Sequence, residues 1–233
     1  MIFPSPALSP GTGFYALFLQ ETAMGLCLFI NPIKGAGDDL PDVGDHAPNI
    51  AQIDHYDLSD IDLSPYAALM LPAHLDQRFF GTLTTKIEGF LARGGTLVFN
   101  GHVAWPMLPE FETFVPLESQ SLENLIIHRL ADHPVFEGVD TQHLTFRRGV
   151  AGFYARGYNP PPKGAIALHG VGPDRLPCDW VYHRPEGGRI LMHAGNDLWM
   201  YAGSKDSTAR IVPQLCLWAG GNGDEDHEQG GAS

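Results

Sequence analysis

The sequence predicts an α/β protein with a mainly parallel sheet. In the first half of the chain, short apolar runs that fit buried strands alternate with a helical pattern. A helix between two such strands indicates a parallel pair, because the chain must cross over before it starts the second strand in the same direction. In the second half, further apolar runs separated by Gly and Pro indicate additional β elements.

The first half contains four predicted strands, at residues 25–31, 50–56, 67–71 and 96–100. One helix is predicted from about Asp76 to Arg93, because its apolar residues recur at spacings of three and four. Asp76 can favour the start of this helix, and the Gly94-Gly95 pair ends it.

The second half contains five predicted strands and a final helix. The strands are predicted at 125–129, 143–147, 165–169, 179–183 and 189–194, each bounded by turn residues. The helix is predicted from about Ser207 to Trp218, with apolar residues on one face.

The chain of 233 residues, 44% of them hydrophobic, is long enough for one sizeable core. We divide it into a loose N-terminal extension at 1–23, an α/β domain at 24–220 and a disordered acidic tail at 221–233. The extension holds three prolines and neither Lys nor Arg. The alternative is that residues 14–19 form a short helix or strand against the core.

Charge and cysteine usage restrict the partners. The formal net charge of −13, from 14 basic and 27 acidic residues, repels phosphate backbones and argues against nucleic acid. No stretch approaches the roughly 20 apolar residues of a membrane span, so we predict no membrane partner. Cys27, Cys178 and Cys216 are widely spaced and odd in number, which suits free buried thiols in a cytoplasmic protein.

The central site candidate is His102, which follows Gly101 at the end of the strand 96–100. Parallel α/β sheets bind ligands outside the carboxyl ends of their strands, where many enzymes carry a nucleophile. No Ser or Cys lies near this junction. His102 could be a general base, a metal ligand or a hydrogen-bond donor to a ligand oxygen. Alternatively, it caps the next helix or satisfies a loop carbonyl.

Two more candidates, His74 and Asp76, lie in the loop after the strand 67–71 and could converge on His102. Imidazole and carboxylate ligands suit zinc, iron or manganese. The sequence contains no metal motif of fixed spacing, so we predict neither a metal nor another cofactor. Asp76 is equally suited to be only a helix cap. We predict His102, His74 and Asp76 as the catalytic residues.

Asn196 and Asp197 follow the last predicted strand and could bind ligand hydroxyls in the same pocket. Gly-Asn-Asp is equally good turn chemistry. Trp105 lies in the loop after the strand 96–100, where an aromatic face suits a sugar ring or a hydrophobic lid. We predict Gly101, Trp105, Asn196 and Asp197 as the ligand-binding residues.

Five short motifs follow one another along the chain: Gly101-His102, the His-Pro element at 133–138, Trp180, Gly187-Gly188-Arg189 and Gly195-Asn196-Asp197. Their order and spacing resemble the ThuA-like family, over about residues 24–220. The resemblance implies a flavodoxin-like three-layer sandwich with a mainly parallel sheet, within the class I glutamine amidotransferase-like superfamily. It also implies a loose link to the use of trehalose and related sugars.

The chain departs from that family at two places. ThuA-like sequences usually carry an Asp-Glu pair with a nearby Tyr after the His-Pro element, whereas Arg147 and Arg148 occupy this region here. Asn196 stands where the family has a histidine. The usual polar constellation is therefore only partly present.

We predict a ThuA-like protein that binds a small polar ligand, with a sugar or sugar derivative as a candidate. A working glutaminase needs a Cys nucleophile at the position of His102, so we predict no such activity. The alternative function is a non-catalytic binding or interaction module, with a homodimer as one arrangement. A third hypothesis is an amidotransferase whose Cys comes from another part of the chain.

Overall fold

The computed structural model describes residues 25–32 and 50–221. The predicted extension at 1–23 and all but the first residue of the predicted acidic tail lie outside the described residues.

The first half of the described chain has four strands and two helices. In chain order they are β1 (Leu26–Asn31), β2 (Ile50–Asp54), β3 (Tyr66–Leu71), α1 (Gln77–Gly81), α2 (Thr84–Ala92) and β4 (Thr96–Asn100). All four strands fall within one or two residues of the predicted bounds, because each is an apolar run closed by turn residues.

The second half is richer in strands. In chain order its elements are β5 (Val115–Pro116), β6 (Ile127–Arg129), α3 (Thr141–Thr145), β7 (Phe146–Arg147), β8 (Val150–Ala151), β9 (Gly157–Tyr158), β10 (Ile166–Val171), β11 (Leu176–His183), β12 (Arg189–His193) and α4 (Ile211–Gly220). Short 3-10 turns connect several of them.

Eight strands form one sheet in the order β2-β1-β3-β4-β12-β11-β10-β6. The pairs β2–β1, β1–β3, β3–β4 and β4–β12 are parallel. Strands β12, β11, β10 and β6 are paired antiparallel. The molecule is therefore a mixed α/β protein with a large, mostly parallel sheet, compatible with a flavodoxin-like fold.

Both faces of this sheet are buried. On one face, α4 packs Val212, Leu215 and Trp218 over the strands. On the other face, α1 and α2 contribute Phe80, Ile87, Phe90 and Leu91 to a second apolar cluster. Neighbouring residues of a strand point to opposite faces, so a strand such as β4 supplies both clusters.

Three predicted elements differ from the structure. The helix predicted over 76–93 is two helices, α1 and α2, with a break at Thr82 and Leu83. The strand predicted over 143–147 is confirmed only at its end, where Phe146–Arg147 form β7. Residues 141–145 form the helix α3 instead, and Asp140 caps its first turn by accepting the Gln142 N–H. The last helix is preceded by a 3-10 turn, so α4 proper starts at Ile211.

Candidate functional site

A pocket of about 480 Å³ lies at the carboxyl ends of β3, β4 and β12. These strands are neighbours and run parallel, so the loops that follow them open at one edge of the sheet. The segment 152–156, between β8 and β9, forms the remaining wall. The larger side chains around the pocket are those of His74, Gln77, His102, Phe153, Arg156 and Asn196.

Gly101 brings the loops after β3 and β4 into close contact. Its φ of +98° favours glycine, and a Cβ at this position would lie 2.7 Å from the Cα atom of Ala73. Its N–H donates to the His193 carbonyl over 2.9 Å, and its own carbonyl accepts from the Asn159 amide over 2.8 Å. The glycine predicted as a ligand-binding residue therefore fixes the pocket wall through its backbone.

His102 extends from this wall and lines the pocket. Its ring stacks on Phe114 with centroids 3.6 Å apart, and its carbonyl accepts from Gln77 Nε2 over 2.7 Å. Gln77 Oε1 in turn accepts the N–H groups of Ala104 and Trp105. Desolvation by burial, and then the nearby imidazole of His193, lower the pKa of His102, which favours the neutral ring.

The structure brings His74 into the same pocket as His102, but not Asp76. The Asp76 carboxylate caps α1 by accepting the N–H groups of Arg78 and Phe79 over 3.1 and 3.0 Å. It also accepts the Tyr56 hydroxyl over 3.1 Å. These hydrogen bonds, above all that from Phe79, lower the pKa of Asp76. The carboxylate therefore acts as a helix cap.

The predicted ligand-binding residues separate in space. Asn196 lines the pocket, where its Nδ2 donates to the Phe153 carbonyl over 3.1 Å. Asp197 accepts the Ala73 N–H over 2.6 Å and lines a second cavity of about 180 Å³ beside β1, and burial raises its pKa. Trp105 is exposed, lies beneath the Arg78 guanidinium at 5.0 Å and does not line the pocket of His102.

A row of polar side chains that was not predicted from the sequence crosses the sheet below the pocket. His169 on β10, Asp179 on β11 and His193 on β12 lie directly opposite one another. All three are fully buried. Asp179 accepts from Nδ1 of His169 over 2.7 Å and from Nδ1 of His193 over 2.5 Å.

Tyr154 also donates its hydroxyl to Asp179. Burial alone raises the pKa of this carboxyl, but the two imidazoles, His193 first, outweigh that effect and hold the pKa well below its usual range. Because Nδ1 of each histidine donates to the carboxylate, Nε2 of a neutral ring carries the lone pair. Among the described residues, neither Nε2 atom has a hydrogen-bond partner.

Nε2 of His193 faces Gly195, which lines the pocket. A Cβ at Gly195 would lie 2.7 Å from this nitrogen and 1.7 Å from the Tyr154 carbonyl oxygen. The absence of a side chain at residue 195 therefore lets the loop after β12 lie directly over the His193 ring. The signal in the sequence was a His or Asp next to apolar residues in three mainly apolar runs: His169 in β10, Asp179 in β11 and His193 at the end of β12.

The three cysteines are free and fully buried, and none of them lines the pocket. Burial raises the pKa of the Cys178 thiol, which keeps it protonated. In the described chain, no group of three or more His, Cys, Asp or Glu side chains is arranged to hold a metal ion. None of the described helices has the length and apolar character needed to cross a membrane.

No protein-family model and no curated protein sequence matches this chain. Its fold is similar to that of a cytoplasmic protein from Salmonella typhimurium, with 12% identity, a TM-score of 0.55, and coverage of 82% of this chain and 98% of that chain. The N-terminal domain of mmIFT52 matches with 12% identity, a TM-score of 0.49, and coverage of 84% and 97%.

A protein from Bacteroides uniformis described as ThuA-like also matches, with 12% identity, a TM-score of 0.41, and coverage of 88% of this chain and 94% of that chain. At these identities the likeness concerns the fold alone. The fold and the pocket define the class of the molecule: a mixed α/β protein with a polar pocket at the carboxyl edge of its sheet. The ThuA-like resemblance of the motifs stays a prediction.

Proposed function

We propose that this protein binds a small polar ligand, such as a sugar or sugar derivative, at the carboxyl edge of its sheet. The observation that carries the proposal is the convergence of the loops after β3, β4 and β12 on one pocket of about 480 Å³. This volume falls within the range of small-molecule sites, roughly 300–1,000 Å³. His102 is the central polar group, with His74 and Asn196 beside it.

The proposal leaves Asp76, Trp105 and Asp197 out of direct ligand contact, because each of them already has another role or faces elsewhere. It also excludes a covalent Cys intermediate, since all three thiols are buried away from the pocket. The same burial argues against the hypothesis of an amidotransferase with a displaced Cys.

We further propose that the molecule is a ThuA-like, flavodoxin-like three-layer sandwich of the class I glutamine amidotransferase-like superfamily. The burial of both sheet faces, by α4 on one side and by α1 and α2 on the other, supports this architecture. The free thiols support a cytoplasmic setting. The homodimer stays a prediction.

A thermal-shift screen with neutral sugars and sugar acids tests the proposed function on wild type, His102→Ala and the control His128→Ala. His128 lies on β6, at the far edge of the sheet. A ligand at a hundredfold excess over its Kd stabilises the folded state by about 2.7 kcal/mol. We expect a shift that His102→Ala reduces and His128→Ala retains. The absence of a shift with every compound would contradict the proposal.

A second candidate function is acid–base catalysis beside the same pocket, and the Asp179–His193 pair favours it. The buried Nε2 of His193 lies under Gly195 of the pocket wall, so the loop after β12 must move before a ligand reaches this nitrogen. A carboxylate that holds Nδ1–H leaves Nε2 as a base, which is the arrangement used in hydrolytic triads. Long-range ¹H–¹⁵N NMR tests this candidate. We expect the neutral His193 ring to be the tautomer with its proton on Nδ1, and a change at Nε2 when ligand binds. A protonated Nε2 would rule out the role of base.

A further inference from the structure

We infer that the ligand of this pocket carries an anionic group, a carboxylate or a phosphate, which Arg156 binds. The inference rests on the proposed function, because it concerns the same pocket, and it adds the chemical class of the ligand.

The charge of the pocket wall is opposite in sign to the net charge of the chain. The whole chain has a formal net charge of −13, with 27 acidic and 14 basic residues. The described residues that line the pocket include Arg156, His74 and His102, but no Asp or Glu. Among these lining residues Arg156 is the positively charged side chain and no carboxylate opposes it, so the wall attracts an anion locally although the chain as a whole is acidic.

The guanidinium of Arg156 is held in place by its own loop. Its Nε donates to the Gly152 carbonyl over 2.9 Å. Gly152 has a φ of +86°, and a Cβ there would approach Nε of Arg156 to 3.3 Å and a terminal nitrogen to 3.5 Å. Glycine at this position therefore lets the arginine fold back against the loop at the pocket wall.

The terminal N–H groups of Arg156 remain for a ligand. Within the described part of the chain, no carboxylate lies within ion-pair distance of this guanidinium. The side chain is exposed, and the Nε hydrogen bond restricts its orientation. An exposed guanidinium that is oriented by its Nε hydrogen bond can bind two oxygens of a carboxylate or phosphate in a bidentate pair.

The other polar groups of the pocket suit hydroxyls. The neutral imidazole of His102 has one donor and one acceptor nitrogen, and the Asn196 side chain has a carbonyl oxygen besides the amide that contacts Phe153. A compound with an anionic group at one end and hydroxyls along its length matches both the Arg156 guanidinium and the polar groups of His102 and Asn196. Sugar acids and sugar phosphates share this chemistry.

Isothermal titration with three matched probes tests the inference: glucose, gluconate and glucose 6-phosphate, with inorganic phosphate as a fourth probe. Glucose is the neutral reference, and the other two distinguish a carboxylate from a phosphate. The variants are Arg156→Gln and the control Arg93→Gln. Arg93 is also exposed, and it also donates to a carbonyl four residues earlier, that of Gly89, but it lies outside the pocket.

We expect gluconate or glucose 6-phosphate to bind at least about tenfold more tightly than glucose. Glucose lacks the anionic group and therefore the charged hydrogen bond to Arg156. Arg156→Gln should remove this difference, and Arg93→Gln should keep it. Equal binding of all three sugars, unchanged by Arg156→Gln, would overturn the anionic class and leave the proposed pocket intact. If none of the probes binds, both the anionic class of the ligand and the proposed pocket are overturned.

Discussion

Asp179 connects two strands and a loop through one buried side chain. One buried carboxylate accepts hydrogen bonds from His169, His193 and Tyr154, which come from two strands and a loop. A buried charge is costly unless it is paired and hydrogen-bonded, and here three donors provide that compensation. The carboxylate thereby fixes the tautomer of both histidines and the position of the tyrosine.

Replacement of this carboxylate tests the role of Asp179 in stability. We expect Asp179→Asn to lower the free energy of unfolding by about 3 to 5 kcal/mol, because one amide oxygen cannot accept from all three buried donors and each donor left unpaired costs about 1 to 3 kcal/mol. Urea unfolding measures the change. The exposed Asp60→Asn provides the control, with a change within about 0.5 kcal/mol. A small effect at Asp179 would mean that the cluster is only weakly coupled to folding.

The lowered pKa of Asp179 makes its contribution to stability depend on pH. The pKa of Asp179 is lower in the folded protein than in the unfolded chain, where it is about 3.9. Its contribution is therefore complete above the unfolded pKa and is lost as pH falls below about 4. We expect the stability difference between wild type and Asp179→Asn to shrink over this acid range, as measured by urea midpoints. A constant difference down to pH 3 would contradict the depressed pKa.

Asp76 was predicted as a catalytic residue, but the structure places it at the start of α1 as a helix cap. Its side chain accepts the N–H groups of Arg78 and Phe79. We expect Asp76→Ala to lower thermal stability, as the loss of an N-cap does, and to leave the ligand-induced shift unchanged. Asp76→Asn, which keeps a capping oxygen, is the control. Loss of the ligand shift in both variants would return Asp76 to the site.

The loop after β12 depends on the lack of a side chain at Gly195. A Cβ at this position would lie 1.7 Å from the Tyr154 carbonyl, so the loop and the segment 152–156 would have to separate. We expect Gly195→Ala to cost about 1 to 3 kcal/mol or more in unfolding experiments and to enlarge the pocket.

Gly89 in α2 is the matched control, because a Cβ there meets only Arg93 Nη1 at 4.0 Å. Gly89→Ala should stabilise the protein by roughly 0.5 to 1 kcal/mol, since alanine favours a helix interior. Destabilisation of similar size by both substitutions would show that the contact with Tyr154 is not the cause.

The elements that could be predicted are those whose pattern is local. β4 was predicted with its observed bounds, because the apolar run and the flanking glycines are contiguous in sequence. The helix α3 was predicted as a strand, since its five residues are too few for helical periodicity to be visible and Asp140 was not identified as a cap. The pairing of β10, β11 and β12 as antiparallel neighbours depends on contacts between distant residues, and the sequence does not encode that order locally.

The order of the strands in the sheet determines which loops meet. The parallel neighbours β3, β4 and β12 bring His74, His102 and Asn196 to one pocket, and their loops were predicted to lie near each other from the carboxyl-edge rule. The row formed by His169, Asp179 and His193 could not be predicted from the sequence alone. It requires the register that places three strand residues side by side, and that register is a tertiary property.

The most direct test of the proposed pocket is chemical-shift mapping by NMR with gluconate, glucose 6-phosphate and glucose. We predict saturable changes confined to the backbone amides around residues 73–77, 101–104, 152–156 and 195–196. Changes centred on the second cavity, near Phe29 and Trp199, would contradict the account, as would no saturable change with any of the three compounds.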